Sequence, residues 1–298
     1  MRVVSLLPGA TEIVAAVGGA GQLVGISHEC DYPPSIRHLP RVTSTPLDPS
    51  LPGPAIDAEV RRLREAGRAV IAVDGDALRR LAPDLVITQD LCEVCAVADG
   101  AVHRLAGALS PAPAVLALSG RTLEGVLEDI GRVAVALDLA DEADELTAGL
   151  RSRLARLRRG APTRRPRVLC IEWLEPLYLA GHWVPDLVAA AGGLDVAAAP
   201  GAHSAVSSWS AAVALRPDLI LVMLCGFGVD RARAELDAVA DAVADTGALH
   251  ALGTAPVWLL DGNAYTSRPG PRLVDGAERI QSALAGAERT GLARWRAP

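Results

Sequence analysis

Apolar positions along this chain fall into two alternating patterns: short continuous runs bounded by turn residues, and longer stretches with helical spacing. The run RVVSLL (2–7) is followed by a Pro-Gly turn and then by an Ala/Val-rich stretch that ends at Gly18-Gly19. That order predicts a strand, a turn and a helix closed by glycine, which reaches the left-handed cap conformation without a steric cost. The same plan returns at RVLCIEWLEP…AAAGGLDVA (167–197). A second echo pairs LAPDLVITQDLC (81–92) with LRPDLILVMLC (215–225). Apolar runs of this length, framed by Pro-Asp and a polar loop, predict strands buried on both faces of a parallel sheet.

Between the echoes, Leu123, Val126, Leu127, Ile130, Val133, Val135, Leu137, Leu146, Leu150, Leu154 and Leu157 recur at helical spacing. Thr122 is placed to cap the start, and Gly160 with Pro162 to end it. The segment LDLADEAD is the expected bend or break. The pattern predicts an α/β protein of two Rossmann-like lobes with parallel sheets, residues 1–118 and 161–298, joined by a long helix over 119–160.

Composition narrows the function. With 298 residues, 50% apolar and 21% charged, the chain has material for a large core and is neither fibrous nor disordered. A net charge of −6 argues against a nucleic-acid binder. The one concentrated basic stretch, RSRLARLRRGAPTRRPR (151–167), reads as a solvated helix end. No run is long enough to insert in a membrane, and Pro8 and Glu12 interrupt the N-terminal apolar run before it reaches the length of a signal core. A cytoplasmic location with reduced cysteines is the expectation.

Ligands of open parallel sheets lie beyond the carboxyl ends of the strands. That rule gathers the loops holding Thr11 and Glu12, His28 to Tyr32, Gln89 and Asp90, Trp173, and Tyr265 to Arg268, with Trp209 nearby. Thr11 and Glu12 have an equally ordinary reading as a helix cap and a first-turn acid. His28, Glu29 and Asp31 can serve as turn residues before Pro33 and Pro34. Trp173, Trp183, Trp209 and Tyr265 have an ordinary reading as core; aromatics are only 3% of the chain, however, and several of these fall in or near the loops, which suits stacking on a large flat ligand. Cys92 and Cys95 have C-x-x-C spacing, and with Cys30 they form a candidate ligand set for zinc or an iron–sulfur cluster; buried structural thiols are the alternative. Cys170 and Cys225 follow buried-looking runs and are expected to be packing residues. Phosphate-loop, dinucleotide and serine-hydrolase motifs are absent from any strand-to-helix context.

The order RVVSLLPGATEIVAAVG, LVGISHECDYPP, LAPDLVITQ, a long connecting helix, RPDLILV and YTSRPGPRLVDG resembles the class III, helical-backbone substrate-binding proteins of ABC importers. It is most similar to their vitamin B12-binding branch, over nearly the whole chain. The resemblance implies two lobes clasping a cobalamin or other corrinoid with little hinge motion. By local matching it places Tyr32, Gln89, Asp90, Tyr265 and Arg268 on the cleft. Ser267 stands where importer-bound relatives carry an acidic residue that docks a permease, and Cys92 and Cys95 occupy the matching first-lobe loop. The expectation is therefore a binding protein for a large cofactor, acting inside the cell and delivering to a corrinoid-using enzyme or an ABC permease. The alternative, from another class, is a metal-dependent enzyme on the same fold using Cys30, Cys92 and Cys95.

Overall fold

The computed structural model describes residues 1–90, 99–245 and 255–296. In the first lobe, β1 (Val3–Ser5) leads through Leu6 and Leu7 to α1 (Pro8–Ala16), and the chain returns by β2 (Leu23–Gly25). A long irregular stretch follows, with β3 (Thr43–Ser44), α2 (Gly53–Glu65), β4 (Ala72–Val73) and α3 (Gly75–Leu81). Then come β5 (Leu85–Gln89), α4 (Asp99–Gly107) and β6 (Ala114–Leu118). The sheet order is β2-β1-β5-β6, parallel throughout, while β3 and β4 form a separate antiparallel pair. Every residue of β1 and β5 is buried, as their unbroken apolar runs require.

The connector is two helices, α5 (Leu123–Leu137) and α6 (Ala140–Arg159). Thr122 caps α5 by accepting from the Gly125 N–H at 3.1 Å. The break lies inside the LDLADEAD stretch, where Asp138 takes a left-handed φ of 62°. There the Asp138 N–H closes the last turn of α5, and the Leu139 N–H bonds the Ala134 carbonyl, so the chain folds back and the two helices pack on each other.

The second lobe runs β7 (Arg167–Leu174), β8 (Leu177–Leu179), α7 (Val184–Ala190), β9 (Leu194–Asp195), β10 (Ala205–Val206), α8 (Trp209–Ala214), β11 (Leu219–Val222) and α9 (Val229–Asp245). It ends with β12 (Val257–Leu260), α10 (Gly262–Tyr265), α11 (Leu273–Leu284) and β13 (Leu292–Trp295). Its sheet order is β10-β8-β7-β11-β12-β13, with β9 beside β7. The expected parallel centre, β7, β11 and β12, is present; β8, β10 and β13 add antiparallel pairings at the edges. The paired Gly-Gly signals act alike, since Gly18 has φ 83° and Gly192 φ 96° after α1 and α7.

One contiguous apolar cluster unites the lobes. It passes from Val3 and Ile13 through Ile130 of α5 and Leu154 of α6 to Leu187, Leu221 and Ile280 of the second lobe. Two further clusters lie on the opposite faces of the two sheets. Among the described residues, no helix is long and apolar enough to cross a membrane.

Because Ile130 sits fully buried in the shared cluster, Ile130→Ala is expected to cost about 2–5 kcal/mol. Both lobes should lose it together, in one denaturant transition seen alike by far-ultraviolet circular dichroism and tryptophan fluorescence. Two separated transitions would show that the lobes are independent.

Candidate functional site

Among the described residues, three groups of contacts cross between the lobes, and the central one is ionic. Pro8 opens α1 at its first turn, so Thr11 lies inside the helix and is not its cap. Its hydroxyl instead donates to Ser5 Oγ at 2.8 Å. Glu12, on the next position, faces the second lobe with its side chain only 2% exposed. It meets two guanidinium groups there. Glu12 Oε1 accepts from Arg268 Nη1 at 3.1 Å and Arg272 Nη2 at 2.5 Å, and Oε2 accepts from Arg272 Nε at 2.7 Å. The backbones are close enough at this seam that a Cβ on Gly9 would stand 2.6 Å from the Pro269 carbonyl oxygen.

Arg268 also reaches outward. Its Nη1 donates to Asp31 Oδ1 at 2.5 Å, and its Nη2 donates to Asn263 Oδ1 at 2.8 Å and to the Glu29 carbonyl at 3.3 Å. Asp31 is half-buried. Burial alone would raise its carboxyl; the Arg268 hydrogen bond, with the charges of Arg268 and Arg272, outweighs this and holds it below the usual carboxylate range. Tyr32 next to it is 44% exposed, and the Arg272 guanidinium lies 4.2 Å from its ring centroid. The seam thus grades from a buried carboxylate, through two arginines, to a half-exposed acid and an exposed aromatic ring.

Several expected residues surround this group without joining it. His28 is tied to Thr43, its Nδ1 2.7 Å from Thr43 Oγ1, and burial lowers its pKa. The Glu29 side chain is exposed, and only its carbonyl takes part. Gln89 closes β5 in a buried position and Asp90 is exposed at its end. Tyr265 is turned to the back of its loop: its hydroxyl accepts from Arg279 Nη2 at 2.8 Å, and Gly291 is flat against its ring. Tyr265 is partly buried, and the Arg272 guanidinium lies 5.9 Å from its ring centroid, so the ring also borders the ionic group. Trp209 packs on the second-lobe core at the start of α8 and makes no contact with the ionic group. Trp183 is core, its Nε1 donating to the Thr266 carbonyl at 2.8 Å. Trp173 ends β7 and tilts against Phe227 at 5.4 Å between centroids.

The metal set changes most. Cys30 is 1% exposed, with its sulfur 3.1 Å from Thr11 Oγ1, and burial pushes its thiol up to about 11. This burial fits the structural-thiol alternative. Cys92 and Cys95 lie outside the described residues. Among the described residues, no three His, Cys, Asp or Glu side chains are grouped to hold a metal ion. Cys170 is buried as expected, but Cys225 is exposed, because β11 ends at Val222 and the chain is already turning.

Two more bridges flank the ionic seam. At one, the Leu123 N–H at the start of α5 donates to Asp186 of α7, and Arg121 Nη1 is 3.0 Å from His203 Nε2. At the other, Glu235 of α9 accepts from the Gly53 N–H at 2.9 Å. Arg272 and Asn263, both part of this arrangement, are not singled out by the sequence. The one available signal was the second arginine in RPGPR, four residues after the first.

A family profile described as "Periplasmic binding protein" matches residues 3–255. No curated protein matches the chain. Among solved structures, it is similar to the periplasmic vitamin B12 binding protein BtuF of Vibrio cholerae, with 20% identity, 95% of this chain and 96% of that one covered, and a TM-score of 0.67. It is similar to a periplasmic heme binding protein from Pseudomonas aeruginosa, with 20% identity, 100% and 99% coverage, and a TM-score of 0.72. A third is the heme-binding protein RhuT from Roseiflexus sp. RS-1, with 22% identity, 96% and 98% coverage, and a TM-score of 0.69. At these identities the likeness is one of fold.

The cysteine environments make a direct expectation. In a Cys92→Ser/Cys95→Ser background, a thiol reagent at pH 8 should label Cys225 quickly and reach Cys30 and Cys170 only on unfolding. Rapid native labelling of Cys30 would mean that its thiol is available as a ligand after all.

Proposed function

The chain belongs to the periplasmic binding protein family, and we propose that it binds one large tetrapyrrole-type ligand, a corrinoid, at the seam between its lobes. The observation that carries this is the exposed Tyr32 ring, backed by Arg272 and set beside half-exposed Asp31 over a buried polar base. An aromatic face held flat by a guanidinium is a stacking platform for a broad ring. The relatives whose names state a ligand bind vitamin B12 or heme.

Charge balance favours the corrinoid. Arg268 and Arg272 are matched by Glu12 and Asp31 within the group, so neither of these two arginines is free to pair with a carboxylate of a heme. A corrin ring edged with neutral amides needs acceptors and donors without net charge, and the Gln89 amide at the end of β5 is a group of that kind. In this reading the protein is a carrier working inside the cell, passing its ligand to a corrinoid-using enzyme or an ABC permease.

The test is an absorption titration with hydroxocobalamin and, separately, with haemin. A saturating shift of the corrin bands near one equivalent is expected, weakened about three- to tenfold in Tyr32→Ala, the loss of one stacking contact. Uptake of haemin alone would overturn the corrinoid assignment, and binding of neither would overturn the tetrapyrrole reading.

A further inference from the structure

The segment between β3 and α2, Thr45 to Pro52, belongs to the first lobe but is fastened to the second. Leu47 packs on a first-lobe core cluster, while Ile56, one turn into α2, packs on the second-lobe cluster. Between them Arg231 of α9 holds the chain. Its Nη1 donates to the Pro49 carbonyl, and its Nη2 donates to the Leu51 carbonyl at 2.5 Å. Glu235 completes the catch, with Oε1 3.3 Å from Arg231 Nε and Oε2 accepting the Gly53 N–H at 2.9 Å. The guanidinium rests 4.2 Å above the Phe227 ring, and Trp173 lies under Gly53.

Three properties make this a fastening that opens. Arg231 is 31% exposed, so water competes for its bonds, unlike the buried arginine pair of the central seam. The accepting carbonyls of Pro49 and Leu51 lie on either side of Ser50 in a tight turn, closed by the Leu51 N–H on the Asp48 carbonyl at 3.3 Å, so one guanidinium holds both and they are released together. Pro46, Pro49 and Pro52 limit the freedom of the segment, so it moves as a stiff unit about its ends. The catch is also continuous with the ligand seam: the Phe227 carbonyl accepts from the Asn263 N–H at 3.2 Å, and Asn263 bonds Arg268.

We infer that residues 45–52 form a gate over the Trp173 and Phe227 face of the cleft, latched by Arg231 and Glu235, and that its opening sets the rate at which ligand is exchanged. This rests on the proposal that the interlobe seam is the ligand site. Latch release exposes Trp173 and admits a ring from that side; relatching covers it.

The test compares wild type with Arg231→Ala and, as a milder second variant, Glu235→Gln. In ligand-free protein, the Trp173 signal is isolated by difference from Trp173→Phe. Its quenching by acrylamide should rise at least about twofold in Arg231→Ala, because local opening governs access. Thermolysin cleavage at Leu47 or Leu51 should quicken by about tenfold, following the open population. With hydroxocobalamin in stopped flow, association and dissociation should both quicken by about tenfold or more while Kd moves less than about threefold, as a gate requires. Unchanged quenching and cleavage in both variants would overturn the latch. Faster cleavage with unchanged exchange rates would overturn the gate. If hydroxocobalamin and haemin both fail to bind wild type, the ligand proposal fails, and quenching and cleavage alone decide the latch.

Discussion

A carboxylate buried between two guanidinium groups is the constraint from which the rest of this molecule follows. Glu12 comes from the first helix of the first lobe, and Arg268 and Arg272 from the last loop of the second, some 256 and 260 residues later. Charges removed from water are tolerated only when each is paired and hydrogen-bonded, and here both carboxylate oxygens are used. That requirement fixes the start of α1 against Pro269, where Gly9 leaves room for the backbone. It also orients Arg268 toward Asp31 and Arg272 toward Tyr32, so the same cluster that joins the lobes builds their outer polar rim.

The lobes are consequently joined to different degrees from back to front. At the back, α5 and α6 share one apolar cluster with both lobes, which leaves little surface on which to slide. In the middle stands the ionic seam. At the front, a partly exposed arginine and Glu235 hold a proline-rich strap. Mobility belongs where burial is least and the hydrogen bonds meet water, which is the strap. In the proposed reading, ligand exchange proceeds by local opening of this strap, with no wide swing of the lobes.

Much of the fold was legible because it rests on local rules. The two Pro-Asp strands, the Gly-Gly caps at Gly18 and Gly192, the Thr122 cap and the break near Asp138 all announce themselves in short patterns. The site was legible only in part. Glu12, Asp31, Tyr32 and Arg268 were picked out as residues beyond strand ends, but nothing local states that Glu12 faces an arginine pair across the chain. Tyr265 and Trp209 drew notice as scarce aromatics, yet burial against Arg279 and the second-lobe core decides their roles. Cys30 drew notice as a ligand by its company, and its depth, which pushes the thiol up to about 11, is not legible in its neighbours along the chain. The strap left no periodic signal at all, since its bonds come from backbone carbonyls that every sequence possesses.

The most direct test of the ionic seam is a double-mutant cycle between Glu12→Gln and Arg268→Met, followed by denaturant unfolding. Each single change strands a buried partner and should cost about 3–5 kcal/mol, with the double mutant falling short of the sum by about 2 kcal/mol or more. Additive losses, with a coupling under about 0.5 kcal/mol, would contradict the claim that this pair holds the two lobes together.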